Sequence, residues 1–211
     1  MGYYPSMVWL RKLSPRHLET LKYFDKYDYP LTNKELEFWS GAKVQGHRGS
    51  EQYYFLSARS KLVNLRNQRE KYSLLKWGIA YGQAAKLAKL PFIASIFVTG
   101  SLAMSNCKKS DDVDLMIITH PDTLWIVRLF YNLLFINNRR FPGVKTAPDK
   151  ICINLWLDIK NLKFKIKNLY IAHEILQAKC IFDRGGVHFA FLKQNSWVKD
   201  YLPNAYKKSF D

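Results

Sequence analysis

The residues best suited to chemistry lie in one short stretch, residues 97–119, which reads FVTGSLAMSNCKKSDDVDLMIIT. After the pair Gly100 and Ser101 come three crowded aspartates, Asp111, Asp112 and Asp114. Side chains two positions apart on a β-strand share a face, so Asp112 and Asp114 are predicted to point the same way. Two neighbouring carboxylates in a core strand repel each other unless a cation lies beside them. Such hard oxygen ligands are typical of a Mg²⁺ site.

The Gly-Ser pair offers groups that suit a phosphate ligand of such an ion. Gly100 ends an apolar strand with no side chain in the way, and Ser101 with the following amides is expected to hold a triphosphate at a helix start. We interpret Asp111, which has the opposite parity, as the solvated entry of the strand. A plainer interpretation stays open, in which Asp112 and Asp114 only cap backbone amides.

The run GSLAMSNCKKSDDVDL resembles the Gly-Ser to Asp-x-Asp signature of the DNA polymerase β superfamily of nucleotidyltransferases, and its spacing is most similar to the minimal nucleotidyltransferases. The resemblance implies that Gly100 and Ser101 bind substrate phosphates and that Asp112 and Asp114 bind Mg²⁺, with Mn²⁺ as a substitute. It also implies an NTP substrate and a small mixed sheet. Much of the chain is similar to uncharacterised bacterial and archaeal proteins that join a winged-helix-like segment to such a domain.

Members of that superfamily that catalyse transfer usually carry a third acid on a later strand, here ICINLWLDI at 151–159. Strand parity puts Cys152, Asn154, Trp156 and Asp158 on one face. Asn154 occupies the central position, whereas Asp158 has the right chemistry at the strand end. We predict Asp158 as the third catalytic residue and metal ligand, with Asn154 as the rival occupant.

Other candidates would assist the nucleotide. Lys108 in the polar interval and Arg184 beside two glycines are predicted to bind phosphate, because both carry positive charge and Arg suits phosphate geometry. His173, Glu174 and Asp183 could line the same cleft. Solvated loop charges, helix caps and ion pairs are the alternative explanation for all of them.

The hydrophobic patterns around these residues predict an α+β (α/β) fold. It consists of a small mixed sheet flanked by helices, with a helical N-terminal segment and C-terminal helices. Strands are predicted at 91–100, 112–119 and 151–159, with a short one possible at 164–166. Helices are predicted at 57–90 and 122–138, and two more are predicted to be split at Arg184-Gly185-Gly186.

Two of these helices carry more specific predictions. In the first, Gly78 and Gly82 are expected to bend or interrupt the helix, Leu75 to lie near its apolar stripe, and the Lys and Arg side chains to form a solvated face. In the second, Leu124, Val127, Tyr131 and Leu134 are expected to face the core.

The N-terminal segment reads as two short helices, the second opened by a capping box of Thr32 and Glu35. This arrangement is typical of a helix-turn-helix or winged helix, although the glycine-rich stretch 41–52 favours a loop where a recognition helix would lie. We predict three segments: 1–56 (winged-helix-like), 57–167 (nucleotidyltransferase core) and 168–211 (C-terminal helices).

The composition limits the classes of partner that the protein is expected to bind. Thirty-three Lys and Arg against 17 Asp and Glu give a net charge of +16, which favours nucleic acid, an NTP or, with only charge behind it, an anionic membrane surface. The three scattered cysteines predict neither disulfides nor a zinc site. The apolar stretch 124–137 contains Arg128 and is too short for a membrane helix. With no leader-like N-terminus, we expect a cytoplasmic protein without membrane partners.

Together these features predict a Mg²⁺-dependent enzyme that transfers a nucleoside monophosphate from an NTP to a hydroxyl acceptor and releases pyrophosphate. The acceptor is expected to be nucleic acid, with RNA or tRNA favoured, or a protein. The alternative is a catalytically weak or inactive nucleotide-binding or nucleic-acid-binding protein, including an antitoxin-like regulator.

Overall fold

The computed structural model describes residues 13–44, 53–56, 59–144 and 146–211. They form two compact units, one drawn from 1–68 and 198–211 and the other spanning Arg69–Trp197. The helices are α1 (Pro15–Asp25), α2 (Asn33–Ser40), α3 (Lys61–Leu87), α4 (Gly100–Ala103), α5 (Leu124–Leu134), α6 (Leu169–Gln177), α7 (Val187–Gln194) and α8 (Pro203–Lys208). The strands are β1 (Leu31–Thr32), β2 (Tyr53–Tyr54), β3 (Ile93–Val98), β4 (Val113–Thr119), β5 (Ile151–Asp158) and β6 (Lys179–Asp183).

The Arg69–Trp197 unit is built on a mixed four-stranded sheet in the order β5-β4-β3-β6. The pairs β3–β4 and β3–β6 are antiparallel, whereas β4–β5 is parallel. Helix α5 lies between β4 and β5 in sequence, as parallel neighbours require a crossover connection. The sheet and its helices confirm the predicted α+β class and the three predicted main strands.

The two faces of this sheet have different neighbours. On one face Val113, Leu115 and Ile117 of β4 belong to the main apolar core, together with residues of α3 and α5. On the other face the Phe97 ring of β3 lies 5.6 Å from the Phe191 ring of α7. By alternation Asp114 shares this second face, so the acid points away from the main core.

The C-terminal part of this unit differs from the prediction. Strand β6 lies within the stretch expected to be helical, and residues 164–166 form no strand. The sequence KCIFD pairs along the open edge of β3, and this pairing outweighs the local helical pattern. Gly185 and Gly186 do form the turn between β6 and α7.

Helix α3 corrects three further expectations. It runs from Lys61 to Leu87 without a break at Gly78 or Gly82, and Leu75 is 70% exposed. Lys76 is buried rather than solvated, because its Nζ lies 2.6 Å from both the Asp149 carboxylate and the Asp111 carbonyl oxygen. Arg66 and Arg69 are also buried.

The other unit contains α1, α2 and the antiparallel pair β1–β2. The predicted capping box is confirmed: Thr32 accepts from the Glu35 amide, and Glu35 accepts from the Thr32 amide. Arg66 binds the Glu35 carboxylate at 2.6 Å, which helps to lower the pKa of that acid although burial alone would raise it. Within the glycine-rich stretch, 41–44 is irregular and 45–52 lies outside the described residues.

Residues 198–211 belong to this same unit. Asn204 of α8 donates hydrogen bonds to the carbonyl oxygens of Glu37 and Phe38 at the end of α2. Of the predicted C-terminal segment 168–211, α6, β6 and α7 lie in the Arg69–Trp197 unit and α8 lies in this one.

Candidate metal centre

The candidate site forms where β3 ends and β4 begins. The Thr99 amide donates to the Asp114 carbonyl oxygen at 3.0 Å, so the chain entering α4 passes directly beside β4. Gly100 has a φ of +61°, and a Cβ on it would lie 2.7 Å from Asp114 Oδ2. Glycine is needed here for the left-handed backbone and for the close approach to the carboxylate.

Three potential ligands converge beside Gly100. One ligand atom from each of Asp112, Asp114 and Cys152 lies within 4.8 Å of the others, and all three residues are half-buried. Asp114 is opposite Cys152 in the parallel pairing of β4 and β5. The two carboxylates fit a divalent cation such as Mg²⁺, since the ion would offset the repulsion between the acids. The thiol lies beside them and is a softer ligand than such an ion prefers.

The electrostatics of the cluster indicate negative charge that its surroundings do not fully balance. Burial, and then the charge of Asp112, raise the pKa of Asp114 to about 6. Burial, and then the charge of Asp114, raise the pKa of Cys152 to about 11. A bound cation would reverse both effects, because it stabilises the deprotonated forms.

Asp112 already has one cationic neighbour. Arg140, in the loop after α5, donates from Nη1 to Asp112 Oδ2 at 2.8 Å. Its other nitrogens Nε and Nη2 donate to the Val144 carbonyl oxygen. The chain thus supplies one positive charge to the cluster, on the side of Asp112.

Ser101 and Asp111 form a separate contact. Ser101 Oγ donates to Asp111 Oδ2 at 3.3 Å, and the Lys108 amide donates to the same oxygen at 2.8 Å. The expectation that Asp111 is a solvated strand entry is therefore wrong. This carboxylate closes the loop between α4 and β4, while Ser101 points to it rather than to the acid pair.

The structure does not bring Asp158 to the acid pair. Asp158 lies opposite Thr119 at the far end of the parallel pair, about 16 Å along the strand from the level of Asp114. Its Oδ1 accepts from the Lys160 amide at 2.8 Å and from Asn161 at 3.1 Å, so it caps a short 3-10 turn. This carboxylate is too distant to share an ion with Asp112.

Asn154 is also displaced, because it lies at a register shift between β4 and β5. Its Oδ1 accepts from Thr99 Oγ1 at 3.2 Å. The residue that β5 does place beside the acids is Cys152, which strand parity had put on the face of Asn154 and Asp158 without a functional role. The sequence did not reveal the pairing register of β4 and β5, which aligns the first residues of both strands and so places Cys152 beside Asp114.

The two predicted phosphate-binding cations occupy different surroundings. Lys108 is exposed in the loop after α4 and uses its backbone amide to hold Asp111. Arg184 donates to the carbonyl oxygens of Pro91 and Ala88 and lies over the Phe182 ring. It flanks the start of β3, the opposite end from Gly100, so the structure does not bring Arg184 to the cluster.

A cavity of about 200 Å³ lies on the same face of the sheet as Asp114. Burial, and then the charge of Asp114, raise the pKa of Glu174 in its wall, so this cavity and the acid pair are electrostatically coupled. The main lining residues are Thr99, Met116, Asn154, Leu155, Phe164, Tyr170, Glu174 and Phe191.

The two other candidates of the C-terminal part do not line this cavity. His173 is buried, and burial lowers its pKa to about 3, so its imidazole is neutral near pH 7. Asp183 accepts from the His188 amide at 3.2 Å, near the start of α7. Asp183 thus has the alternative role, a helix cap.

Comparisons with known proteins add little. No family model and no curated protein matches the chain. One similar solved structure is a mutant form of the toxin-antitoxin MntA-HpeT, with 9% identity over 57% of this chain and 86% of that one. Another is a toxin-antitoxin with AMP-PNP, with 8% identity over 62% and 98%. Both have a TM-score of 0.32, too low to establish a shared fold or activity.

The described part of the chain also contains no helix that is long and apolar enough to cross a membrane.

Proposed function

We propose that the chain is a divalent-cation-dependent nucleotidyltransferase, which moves a nucleoside monophosphate from an NTP to a hydroxyl acceptor. The observation that carries this proposal is the convergence of Asp112, Asp114 and Cys152 beside Gly100. Its sequence basis is the Gly-Ser to Asp-x-Asp spacing, which is typical of such enzymes.

In this proposal Asp112 and Asp114 hold Mg²⁺ or Mn²⁺, and Cys152 lies beside them. When bound, the ion would polarise the attacking hydroxyl and offset the charge on the leaving pyrophosphate. Gly100 lets the backbone at the start of α4 approach the Asp114 carboxylate closely, and the phosphates would lie beside this turn. Arg140 keeps Asp112 oriented, and its guanidinium is partly exposed, so it can also donate to a phosphate oxygen.

The cavity beside Asp114 is the proposed place for the base of the nucleotide. Its volume of about 200 Å³ suits a single planar ring system rather than a whole nucleotide. The Phe164 and Tyr170 rings offer stacking surfaces, while Glu174 and Asn154 offer polar contacts to ring edges. The phosphates would then extend from this cavity toward Gly100.

The proposed acceptor is a polyanion. A net charge of +16 attracts nucleic acid, and RNA is the acceptor that we favour, with a protein hydroxyl as the other possibility. The same positive charge attracts the anionic NTP toward the acid cluster, where the NTP and the acids would share the cation.

A second candidate function is nucleotide or nucleic-acid binding without transfer, in a regulatory protein of the antitoxin kind. The observation that favours it is Cys152 in the position beside the acids, where active enzymes of the resembled superfamily carry a carboxylate. Because burial and Asp114 raise the pKa of Cys152 to about 11, its thiol is protonated and is no base at neutral pH.

Transfer is tested by incubating the chain with each NTP, labelled at the α-phosphate, together with Mg²⁺ or Mn²⁺ and total RNA or protein. We expect label in one acceptor class, and a loss of at least about 100-fold in Asp112→Ala and in Asp114→Ala. Asp200→Ala, an exposed acid outside the sheet-containing unit, is the matched control and should keep full activity.

Labelling that persists in both aspartate variants would overturn the assignment of these residues. The other informative result is that the chain labels no acceptor but binds NTP in a cation-dependent way that both substitutions abolish. This result would favour the second candidate function, binding without transfer, over the transferase.

A further inference from the structure

Helix α5 is mostly apolar on its outer side as well as on its core side, with Arg128 and Asn132 as its only charged or amide side chains. One side packs into the core through Val127 and Tyr131. The other side is open: Trp125 is 74% exposed, Leu129 58% and Leu133 62%. A surface helix normally turns polar residues to water, so a helix whose outer side is mostly apolar is usually covered on that side too.

The exposed half of α5, here called the α5 face, consists of Trp125, Ile126, Leu129, Phe130, Leu133 and Leu134. At their exposed fractions these side chains present roughly 700 Å² of apolar surface, close to the share of one partner in a stable protein interface. Monomers rarely leave a patch of this size in contact with water. The area is therefore sufficient for a specific dimer.

The charges around the α5 face indicate what covers it. The six side chains that form the face are uncharged, and the polar residues of the same helix are Arg128 and the exposed Asn132. Nearby cations are engaged with groups of their own chain: Arg128 lies over the Trp125 and Trp156 rings, and Arg139 lies over the Phe141 ring.

Two further cations near α5 are engaged in the same way. Arg140 binds Asp112, and Lys150 donates to the Asn137 carbonyl oxygen. Among the described residues these four cations contact groups of their own chain, whereas an acidic partner or an anionic membrane would need cations around the rim that are available to it. An uncharged apolar face matches a second uncharged apolar face.

We infer that the α5 face is the contact between two copies of this chain in a two-fold symmetric dimer. Such an interface is isologous, so each copy presents the same helix, and two α5 helices pack across the axis with apolar side chains on both sides. Like charges do not oppose each other within the α5 face, which allows two strongly basic chains to associate there. The inference does not depend on the proposed transferase activity.

The test is the oligomeric state of the full chain, measured by light scattering after gel filtration and by sedimentation equilibrium. We expect a dimer for the unaltered chain. Leu129→Glu combined with Leu133→Glu should raise the dimer dissociation constant at least about 100-fold, because each dimer would bury four unpaired carboxylates. Leu74→Glu with Leu75→Glu is the matched control, since these leucines of α3 are 74% and 70% exposed.

An unaltered chain that stays monomeric at all concentrations would overturn the inference, as would a dimer that the α5 substitutions leave intact. Binding of a monomer to vesicles of anionic phospholipid, lost in the same variant, would assign the face to a membrane instead. Circular dichroism checks folding, and if the glutamate variant unfolds, Leu129→Ser with Leu133→Ser serves as the second variant. A control variant that dissociates equally would show that the effect is not specific to α5.

Discussion

At the scale of single residues, the candidate site is a concentration of negative charge that the chain itself does not fully balance. Asp112 has Arg140 as a partner, whereas Asp114 lies between Asp112 and a thiol. Asp114 is the residue that this arrangement destabilises in its charged form. Burial, and then the charge of Asp112, raise the pKa of Asp114 to about 6. A site that is electrostatically strained without an ion and relieved with one is suited to cation binding.

Asp114→Asn is predicted to stabilise the metal-free chain at neutral pH. Because the pKa of Asp114 is higher in the folded state, its contribution to stability is fully present below the unfolded pKa and is lost as the pH rises through about 6. In EDTA at pH 7.5 we expect the free energy of unfolding to increase by about 2 kcal/mol in the variant. Urea denaturation at several pH values measures this difference, which should vanish near pH 4.

Asp200→Asn is the control for this measurement and should leave the free energy of unfolding unchanged at each pH. A variant that is less stable than the unaltered chain at pH 7.5 would contradict the proposed repulsion.

Cys152→Asp is predicted to strengthen Mg²⁺ binding. The substitution places a third hard oxygen ligand beside Asp112 and Asp114, and carboxylates suit Mg²⁺ better than a thiol does. We expect at least about a tenfold gain in Mg²⁺ affinity by isothermal titration calorimetry. Cys152→Asn, similar in shape but uncharged, should show no such gain. Equal affinities in both variants would place the ion away from β5.

Part of this site could be predicted from the sequence. Asp112 and Asp114 follow from strand alternation, and Gly100 from its place at the end of an apolar strand. Cys152 could not be identified, because alternation gives the face of a residue but not its partner across the sheet. The register of β5 against β4, a tertiary property, is what places Cys152 rather than Asp158 opposite Asp114.

At the scale of elements, the turn from β3 into α4 determines how closely the chain approaches β4. Gly100 permits this turn through its positive φ and its missing side chain. The polar loop after α4 is then fixed by Asp111, which accepts from Ser101 and from the Lys108 amide. The geometry of the acid pair thus depends on neighbouring residues of the turn and of the loop after α4.

Gly100→Ala is predicted to destabilise the chain by at least about 2 kcal/mol, because alanine is disfavoured at positive φ and its Cβ would clash with the Asp114 carboxylate. Thermal and urea denaturation measure the loss. Gly82→Ala is the matched control: nothing lies within 4 Å of its Cβ, and in the interior of α3 it should stabilise by about 0.5–1 kcal/mol. Equal effects of both substitutions would speak against a tight approach at Gly100.

The elements themselves differ in how far local sequence determines them. Strands β3, β4 and β5 are largely apolar runs and were predictable. Strand β6 was not, since its sequence continues a helical pattern and becomes a strand only by pairing with β3. In α5 the core positions Val127 and Tyr131 were correct, but Leu134, expected in the core, is 64% exposed.

At the scale of the whole molecule, the last residues of the chain belong to the same unit as its first helices, α1 and α2. Residues 198–211 complete the unit that contains α1 and α2, so the sheet-containing unit is inserted between its two parts. The backbone groups at the end of α2 are capped by Asn204, a residue more than 160 positions away in sequence. No local pattern could reveal this contact.

Asn204→Ala is predicted to lower the stability of this unit by about 1–2 kcal/mol, because the carbonyl oxygens of Glu37 and Phe38 lose their donor. Hydrogen exchange of the α2 amides measures the effect locally. Lys207→Ala, an exposed position of α8, should leave α2 protection unchanged. Unchanged protection in Asn204→Ala would mean that water replaces these hydrogen bonds without cost.

The most direct test of the central claim is the binding of Mn²⁺ in the presence of a non-hydrolysable ATP analogue, followed by electron paramagnetic resonance of the free ion. We expect saturable Mn²⁺ binding at pH 7.5 that weakens below about pH 6, where Asp114 takes up a proton. We also expect a loss of at least about 100-fold in Asp112→Ala with Asp114→Ala and none in Asp200→Ala. Equal Mn²⁺ binding by all three chains would contradict a cation site at these aspartates.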